Sequence, residues 1–232
     1  MNNQYRHHRQ RGISDWLSNF SIVSWLITIN IIASIVGFIL FSAEKIDYIA
    51  LKPSNIIQGE YLWTIVTHMF VHGGVLHLFI NMFVLFSLGG LSERIIGRRR
   101  FFWLYIISGL FAGSLSVILS SFYGTTELGK RIVGDPTIYM VGASGAIFAI
   151  AGLFVMLLPK LKFMIIFLPF FSLPAYIMVP LILVVTWLIT IAGDFPIGNV
   201  AHFGGFFVGI IYGLYLRTKY RKKVKVLQRI LR

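Results

Sequence analysis

A serine and three polar side chains carry most of the chemical potential of this chain. His77 and Asn81 are four residues apart, so on a helix they stand one above the other on one side. Ser144 lies in Gly142-Ala143-Ser144-Gly145, and His202 in Ala201-His202-Phe203-Gly204-Gly205. A hydroxyl beside an imidazole is a nucleophile with its general base. The chain has no cysteine, which removes thiol nucleophiles, disulfides and thiolate metal sites. Whether the serine and the histidine meet depends on the elements that hold them.

Those elements are set by composition. The chain is 57% hydrophobic and 12% charged with a mean hydropathy of +0.81, whereas a soluble domain carries about twice that charged fraction. An ordinary soluble domain, a disordered chain, a coiled coil and a secreted disulfide scaffold are thereby excluded. Apolar runs lie at about Ile22 to Phe41, Thr67 to Leu91, Phe101 to Phe122, Tyr139 to Leu158, Ala175 to Ala192 and Val200 to Leu216. Each approaches the roughly 20 residues a span requires, and together they predict an all-α membrane protein of six helices. The first run has no small-x-small cleavage site and reads as a retained signal anchor. Residues 163–173 are apolar but bounded and broken by Pro159, Pro169 and Pro174, and read as an interfacial loop or the lead-in to the next span. The predicted organisation is a basic arm over residues 1–21, a six-span domain over 22–216 and a basic tail over 217–232.

The net charge of +13 would point to nucleic acid in a soluble protein, but its distribution gives another reading. Seventeen of the 21 Lys and Arg fall in the two termini and the loops after spans 2 and 4, whereas the opposite loops hold four together with six of the eight acids. Positive residues remain on the cytoplasmic side, so both termini are expected there and the chain crosses the bilayer as a multi-pass protein; cytoplasmic termini with no targeting peptide evident make a bacterial plasma membrane the expected home. The basic tail reads as a topology determinant that also attracts anionic headgroups, with no nucleic-acid partner implied.

This orientation makes spans 2, 4 and 6 run from outside to inside. At ~1.5 Å per residue Ser144 and His202 then sit roughly 5 to 10 Å below the outer surface, at one depth. His202, Gly205 and Gly209 fall at i, i+3 and i+7, a small-residue groove that permits close approach of another helix. Ser144, Phe148 and Ala151 form a stripe that could pack into it, bringing hydroxyl and imidazole together.

At this point the residues resemble the rhomboid family of intramembrane serine proteases. The resemblance rests on His68-x3-His72-x4-His77-x3-Asn81, Gly89-Gly90-x2-Glu93-Arg94-x2-Gly97, Gly142-x-Ser144-Gly145 and Ala201-His202-x2-Gly205-x3-Gly209, in family order over residues 60–210. It implies a serine-histidine dyad that cleaves single-span membrane protein substrates in or near the outer end of the transmembrane helix through an acyl-enzyme. Ser144 would be the nucleophile and His202 the general base, with His77, Asn81 and the Ser144 N–H as oxyanion donors. Gly142, Gly145, Phe148, Gly205, Gly209 and His72 would support them. No cofactor and no metal are implied, and Asp194 reads as a loop acid. Two positions depart from the common pattern. Phe148 stands where many members have tyrosine, and Trp63-Thr64 where many have Trp-Arg.

Blander readings exist for each residue. Ser144 alone would be a small residue at a helix crossing, and His202 alone a structural hydrogen-bonding group. His68 and His72 are spaced for a shared metal, but neither a following glutamate nor a nearby carboxylate completes a site, so packing and loop hydrogen bonds are expected, with His72 near where water reaches the site. Glu93 and Arg94 are expected to cap and anchor the inner end of span 2. The alternative to a protease is a catalytically silent rhomboid-like protein that binds membrane clients, and a proton-relay transporter would need polar groups spread through the membrane depth.

Overall fold

The apolar runs fold as helices. The computed structural model describes residues 20–165, 168–193 and 198–231; most of the N-terminal arm and Asp194 lie outside the described residues. Helix α1 (Ile22–Ser42) begins at a Ser21 cap, whose hydroxyl accepts the Ser24 N–H at 3.0 Å. Two short helices, α2 (Pro53–Ile57) and α3 (Thr64–Thr67), lie in the loop that follows. Helix α4 (Val75–Ile96) contains a π turn at Leu85–Gly89, and α5 (Arg98–Tyr123) follows directly after Gly97. A short α6 (Glu127–Val133) precedes α7 (Ser144–Leu157). Strands β1 (Lys162–Ile165) and β2 (Leu168–Pro174) lead to α8 (Ala175–Gly193), and α9 (Asn199–Lys219) and α10 (Arg221–Ile230) complete the described chain.

Five of these helices, α1, α4, α5, α8 and α9, are long and apolar enough to cross a membrane. The fourth apolar run, expected to be helical from about Tyr139, is shorter than its pattern. Residues 139–143 lie outside the helix, and Met140 exchanges both backbone hydrogen bonds with Leu51 of the first loop, at 3.1 and 2.7 Å. The helix that remains has 14 residues, or about 21 Å. The second run also starts later than expected: His68 lies in a 3₁₀ turn and His72 in the extended link before α4, so neither histidine stands on that helix. The proline-broken stretch after Pro159 is an antiparallel hairpin, pairing Lys162 with Pro174 and Phe163 with Leu173. A two-stranded ribbon has only edges, where the missing N–H of a proline leaves no ladder bond unmade.

Polarity is arranged inside out. Ile29, Ile32, Ile35 and Ile39 of α1 and Val184 and Leu188 of α8 are exposed, while Asn30 and Ser34 of α1 and Ser108, Ser116 and Ser120 of α5 are buried. Exposed apolar faces suit a bilayer, where helix association depends on packing of small residues and on interhelical hydrogen bonds. Asn30 Nδ2 donates to Leu26 O at 2.8 Å and reaches the buried Tyr105 hydroxyl at 3.3 Å, tying α1 to α5. Helix α7 is the centre: Gly145, Ala146, Ile147, Ala149, Ile150 and Leu153 are all buried, as a helix apolar on every side must be.

The bundle is pinned at the end of α4. Both carboxylate oxygens of the buried Glu93 accept hydrogen bonds at 3.0 Å, from the N–H groups of Ile22 and Val23, the first two residues of α1. Arg98 Nε lies 3.5 Å from the same carboxylate. Glu93 therefore satisfies two of the otherwise unpaired donors at the start of α1 and places negative charge at the positive end of its dipole. The Arg94 side chain is exposed. Glu93→Gln, which keeps the shape but removes the charge, should lower stability by about 1 to 2 kcal/mol, and Glu93→Ala by more. Thermal unfolding in detergent checks this, and unchanged stability in both variants would show that the cap contributes nothing.

Candidate active site

The Ser144 side chain sits where α7 begins, and the Gly142 backbone decides how the chain gets there. Gly142 has φ +130°, a conformation that suits glycine, and its N–H donates to His68 O at 2.9 Å. A Cβ added there would also lie 3.0 Å from the His77 ring and 3.6 Å from Ser144 Oγ. The bare glycine thus lets the imidazole of α4 stand over the turn that leads into the serine. As the first residue of α7, Ser144 has an N–H with no carbonyl one turn earlier in the helix to receive it.

Ser144 Oγ and His202 Nε2 are 2.8 Å apart. The hydroxyl donates when the ring proton resides on Nδ1, and that atom is buried without a hydrogen-bond partner among the described residues. The imidazole is fixed instead by stacking: its centroid lies 4.6 Å from that of Phe148, with 27° between the planes. Phe148 is one turn beyond Ser144 on α7, so one helix supplies both the hydroxyl and the ring beneath the histidine.

Contact between α7 and α9 depends on missing side chains. A Cβ on Gly205 would run into the Gly145 carbonyl, and one on Gly209 into the Ala149 carbonyl. Reciprocally, a Cβ on Gly152 would stand 2.5 Å from Phe206 O. The stripe that enters the glycine groove is therefore Gly145, Ala149 and Gly152, not the predicted Ser144, Phe148 and Ala151. The latter is displaced by about one residue around the helix, and its Ser144 and Phe148 flank the seam and face His202. A Cβ added to Gly145 would in turn lie 2.8 Å from the Ala112 Cβ of α5.

His77 and Asn81 share one side of α4. Asn81 is buried and directs Nδ2 to His77 O at 3.0 Å, leaving the second N–H of that amide for another acceptor. His72 is buried beneath them. Its Nε2 accepts the Ala143 N–H at 3.5 Å, Nδ1 lies 3.0 Å from Ser34 Oγ, and its ring meets His77 edge-on at 5.0 Å. His68 Nδ1 instead contacts Thr64 O at 2.9 Å. The two are thus held by different partners, and among the described residues no three His, Cys, Asp or Glu side chains group for a metal.

A cavity of about 1360 Å³ opens beside the pair. Ser144, His202, His77, Asn81 and Gly142 line it together with the apolar Ile80, Val84 and Leu88 of α4 and Met178 and Ile182 of α8. The arrangement can present a polarised hydroxyl, hydrogen-bond donors and an apolar groove to one ligand.

The Rhomboid domain family model matches residues 59–219. The chain belongs to the rhomboid family. The RHOMBOID-like protein 5 of Arabidopsis thaliana is 33% identical to this rhomboid over 173 residues, which cover 74% of the chain and 50% of the plant protein. The Rhomboid protease GlpG of Haemophilus influenzae is 26% identical over 180 residues, covering 77% and 82%. The human mitochondrial Presenilin-associated rhomboid-like protein is 26% identical over 208 residues, covering 89% and 52%. The chain thus spans half of that Arabidopsis protein and most of the bacterial protease.

Sequence reasoning overlooked several polar residues of this rhomboid. Ser34 holds His72, and the buried Asn199 of α9 donates to Thr190 Oγ1 of α8 at 2.7 Å, one helical turn before His202. Their signal was present, because each is a polar residue inside or at the end of an apolar run, where an unpaired polar group is costly. The seam yields a paired prediction. Gly205→Ala should destabilise the fold by about 1 to 3 kcal/mol through overpacking. Gly90→Ala, on α4 with nothing within 4 Å of the added carbon, should be neutral or stabilising by up to about 1 kcal/mol. Thermal unfolding of the two variants side by side measures the difference, and equal effects would contradict the close-approach assignment.

Proposed function

We propose that this rhomboid is an intramembrane serine endopeptidase that cleaves a transmembrane segment of single-span membrane proteins. The 2.8 Å contact between Ser144 Oγ and His202 Nε2 carries the reading. His202 takes the serine proton as Oγ attacks the scissile carbonyl, then delivers it to the leaving amine. The acyl-enzyme is released by water, with His202 as base again. Negative charge on the tetrahedral carbonyl oxygen is met by Asn81 Nδ2, the His77 ring and the Ser144 N–H, the last at the positive end of the α7 dipole. Phe148 keeps the imidazole plane aligned through both proton transfers. Among the described residues no side chain bonds Nδ1, so the reading is a dyad whose imidazole is oriented by stacking on Phe148.

In the proposed topology α7 joins the five long helices as the fourth of six membrane elements, and both termini are cytoplasmic on the loop charges. The site then faces the outer leaflet of the membrane, which in this reading is a bacterial plasma membrane. The substrate helix lies between α4 and α8, where the cavity walls are apolar. A peptide bond inside a helix is hydrogen-bonded and shielded, so the segment must unwind before Ser144 can reach it. Small or helix-weakening residues near the scissile bond are the expected substrate signature. A silent client-binding protein of the same fold would hold segments without cutting them, and the outcome below separates the two.

Ser144→Ala and His202→Ala should each reduce cleavage of a tagged single-span substrate in proteoliposomes by at least about 10³-fold, with melting temperatures near that of the unmodified protein. Asn81→Ala should lower the rate by about 10- to 10³-fold, chiefly in kcat. Mass spectrometry of the products gives both rate and cleavage position. Cleavage persisting in the folded Ser144→Ala protein would overturn the mechanism.

A further inference from the structure

Helix α10 presents three faces to three environments. Val224, Leu227 and Leu231 pack on the core, and Gln228 Nε2 donates to Leu157 O at 2.8 Å, the last carbonyl of α7. Val226 and Ile230, one turn apart, are 54% and 72% exposed. Arg221, Lys222, Lys225 and Arg229 are exposed on the remaining arc. With ~100° between successive residues the three sets occupy separate sectors, and the exposed Lys223 falls at the far edge of the Val226 and Ile230 face, so cations flank that face on both sides. A helix wholly in water has no use for the second apolar face, and one in hydrocarbon cannot bear the cationic one. Only the boundary between headgroups and acyl chains suits all three.

The cationic arc is continued by neighbouring elements. Arg217 and Lys219 lie in the last turn of α9, and Arg99 and Arg100 in the first turn of α5. Arg100 donates to the Tyr220 hydroxyl at 2.9 Å and stacks on its ring at 5.2 Å, joining the corner of α4 and α5 to the turn before α10. The sequence has no acid between Asp194 and Arg232, so α9 and α10 contain no carboxylate to neutralise this charge.

We infer that α10 is a binding surface for anionic phospholipid. Headgroup phosphates contact its basic arc, Val226 and Ile230 enter the acyl boundary, and the occupied helix braces α7 through Gln228 at the end opposite Ser144. The inference is independent of the proposed chemistry, since it concerns the other end of the bundle.

The test is hydrogen exchange of residues 221–230 in the full chain, in nanodiscs of phosphatidylcholine alone and with phosphatidylglycerol. Exchange should slow by roughly tenfold in the anionic discs, and the slowing should vanish at about 1 M salt. It should also vanish in the Lys222→Gln, Lys225→Gln, Arg229→Gln triple variant. These side chains are exposed, so its melting temperature in detergent should be unchanged. Native mass spectrometry of the unmodified protein should retain phosphatidylglycerol over phosphatidylcholine, a readout that needs no variant. Equal exchange in the two discs would overturn the inference. So would the same protection from inorganic phosphate added to zwitterionic discs, which would assign the arc to free anions instead of a lipid surface.

Discussion

Close approach of α7 and α9 is the constraint on which the rest depends. In a bilayer the lipid is as apolar as the helices, so association is driven by dense packing and by hydrogen bonds. Packing here is densest where side chains are absent, with Gly205 and Gly209 against the Gly145 and Ala149 carbonyls. That seam sets the distance between Ser144 and His202, and no other element could substitute for it. Each extra methyl group along it would push the helices apart, and a shift of one ångström is enough to lose a 2.8 Å hydrogen bond.

The remaining elements hold that pair against displacement. Helix α5 packs against both Gly145 and Gly204 through Ala112, and the Leu51 to Met140 pairing holds the segment that feeds Gly142. Ser34 and His72 carry a hydrogen-bond chain from α1 to the Ala143 N–H. Glu93 in turn fixes the start of α1. Helix α8 takes a smaller part in the shared core and lines the cavity. The proposed division of labour follows from this: a fixed centre for chemistry, and an apolar wall against which a substrate can lie.

Much of the arrangement is legible in the sequence, because the bilayer imposes severe rules. Apolar runs longer than about 17 residues have little choice but to become helices, and the spacing of His202, Gly205 and Gly209 is by itself the mark of a helix contact. Sequence and fold part company where local order is set by partners distant along the chain. Hydropathy does not reveal that Met140 pairs with Leu51 and that α7 keeps only 14 residues. Nor does it place His68 and His72 before α4, since apolar neighbours continue through the turn. The contact stripe of α7 lies one residue from the one its hydroxyl and aromatic groups suggest, because close approach is governed by the smallest residues, Gly145, Ala149 and Gly152. The hairpin after Pro159 resists assignment because its prolines forbid helix without specifying what replaces it.

The central claim is that the fold turns Ser144 into an activated nucleophile, and the direct measurement is labelling by a fluorophosphonate probe with the adduct located by peptide mass spectrometry. Phosphonylation is expected at Ser144 alone among the serines, with loss of that adduct in His202→Ala while the protein stays folded. Folded protein that leaves Ser144 unlabelled, or labels it equally without His202, would contradict the claim.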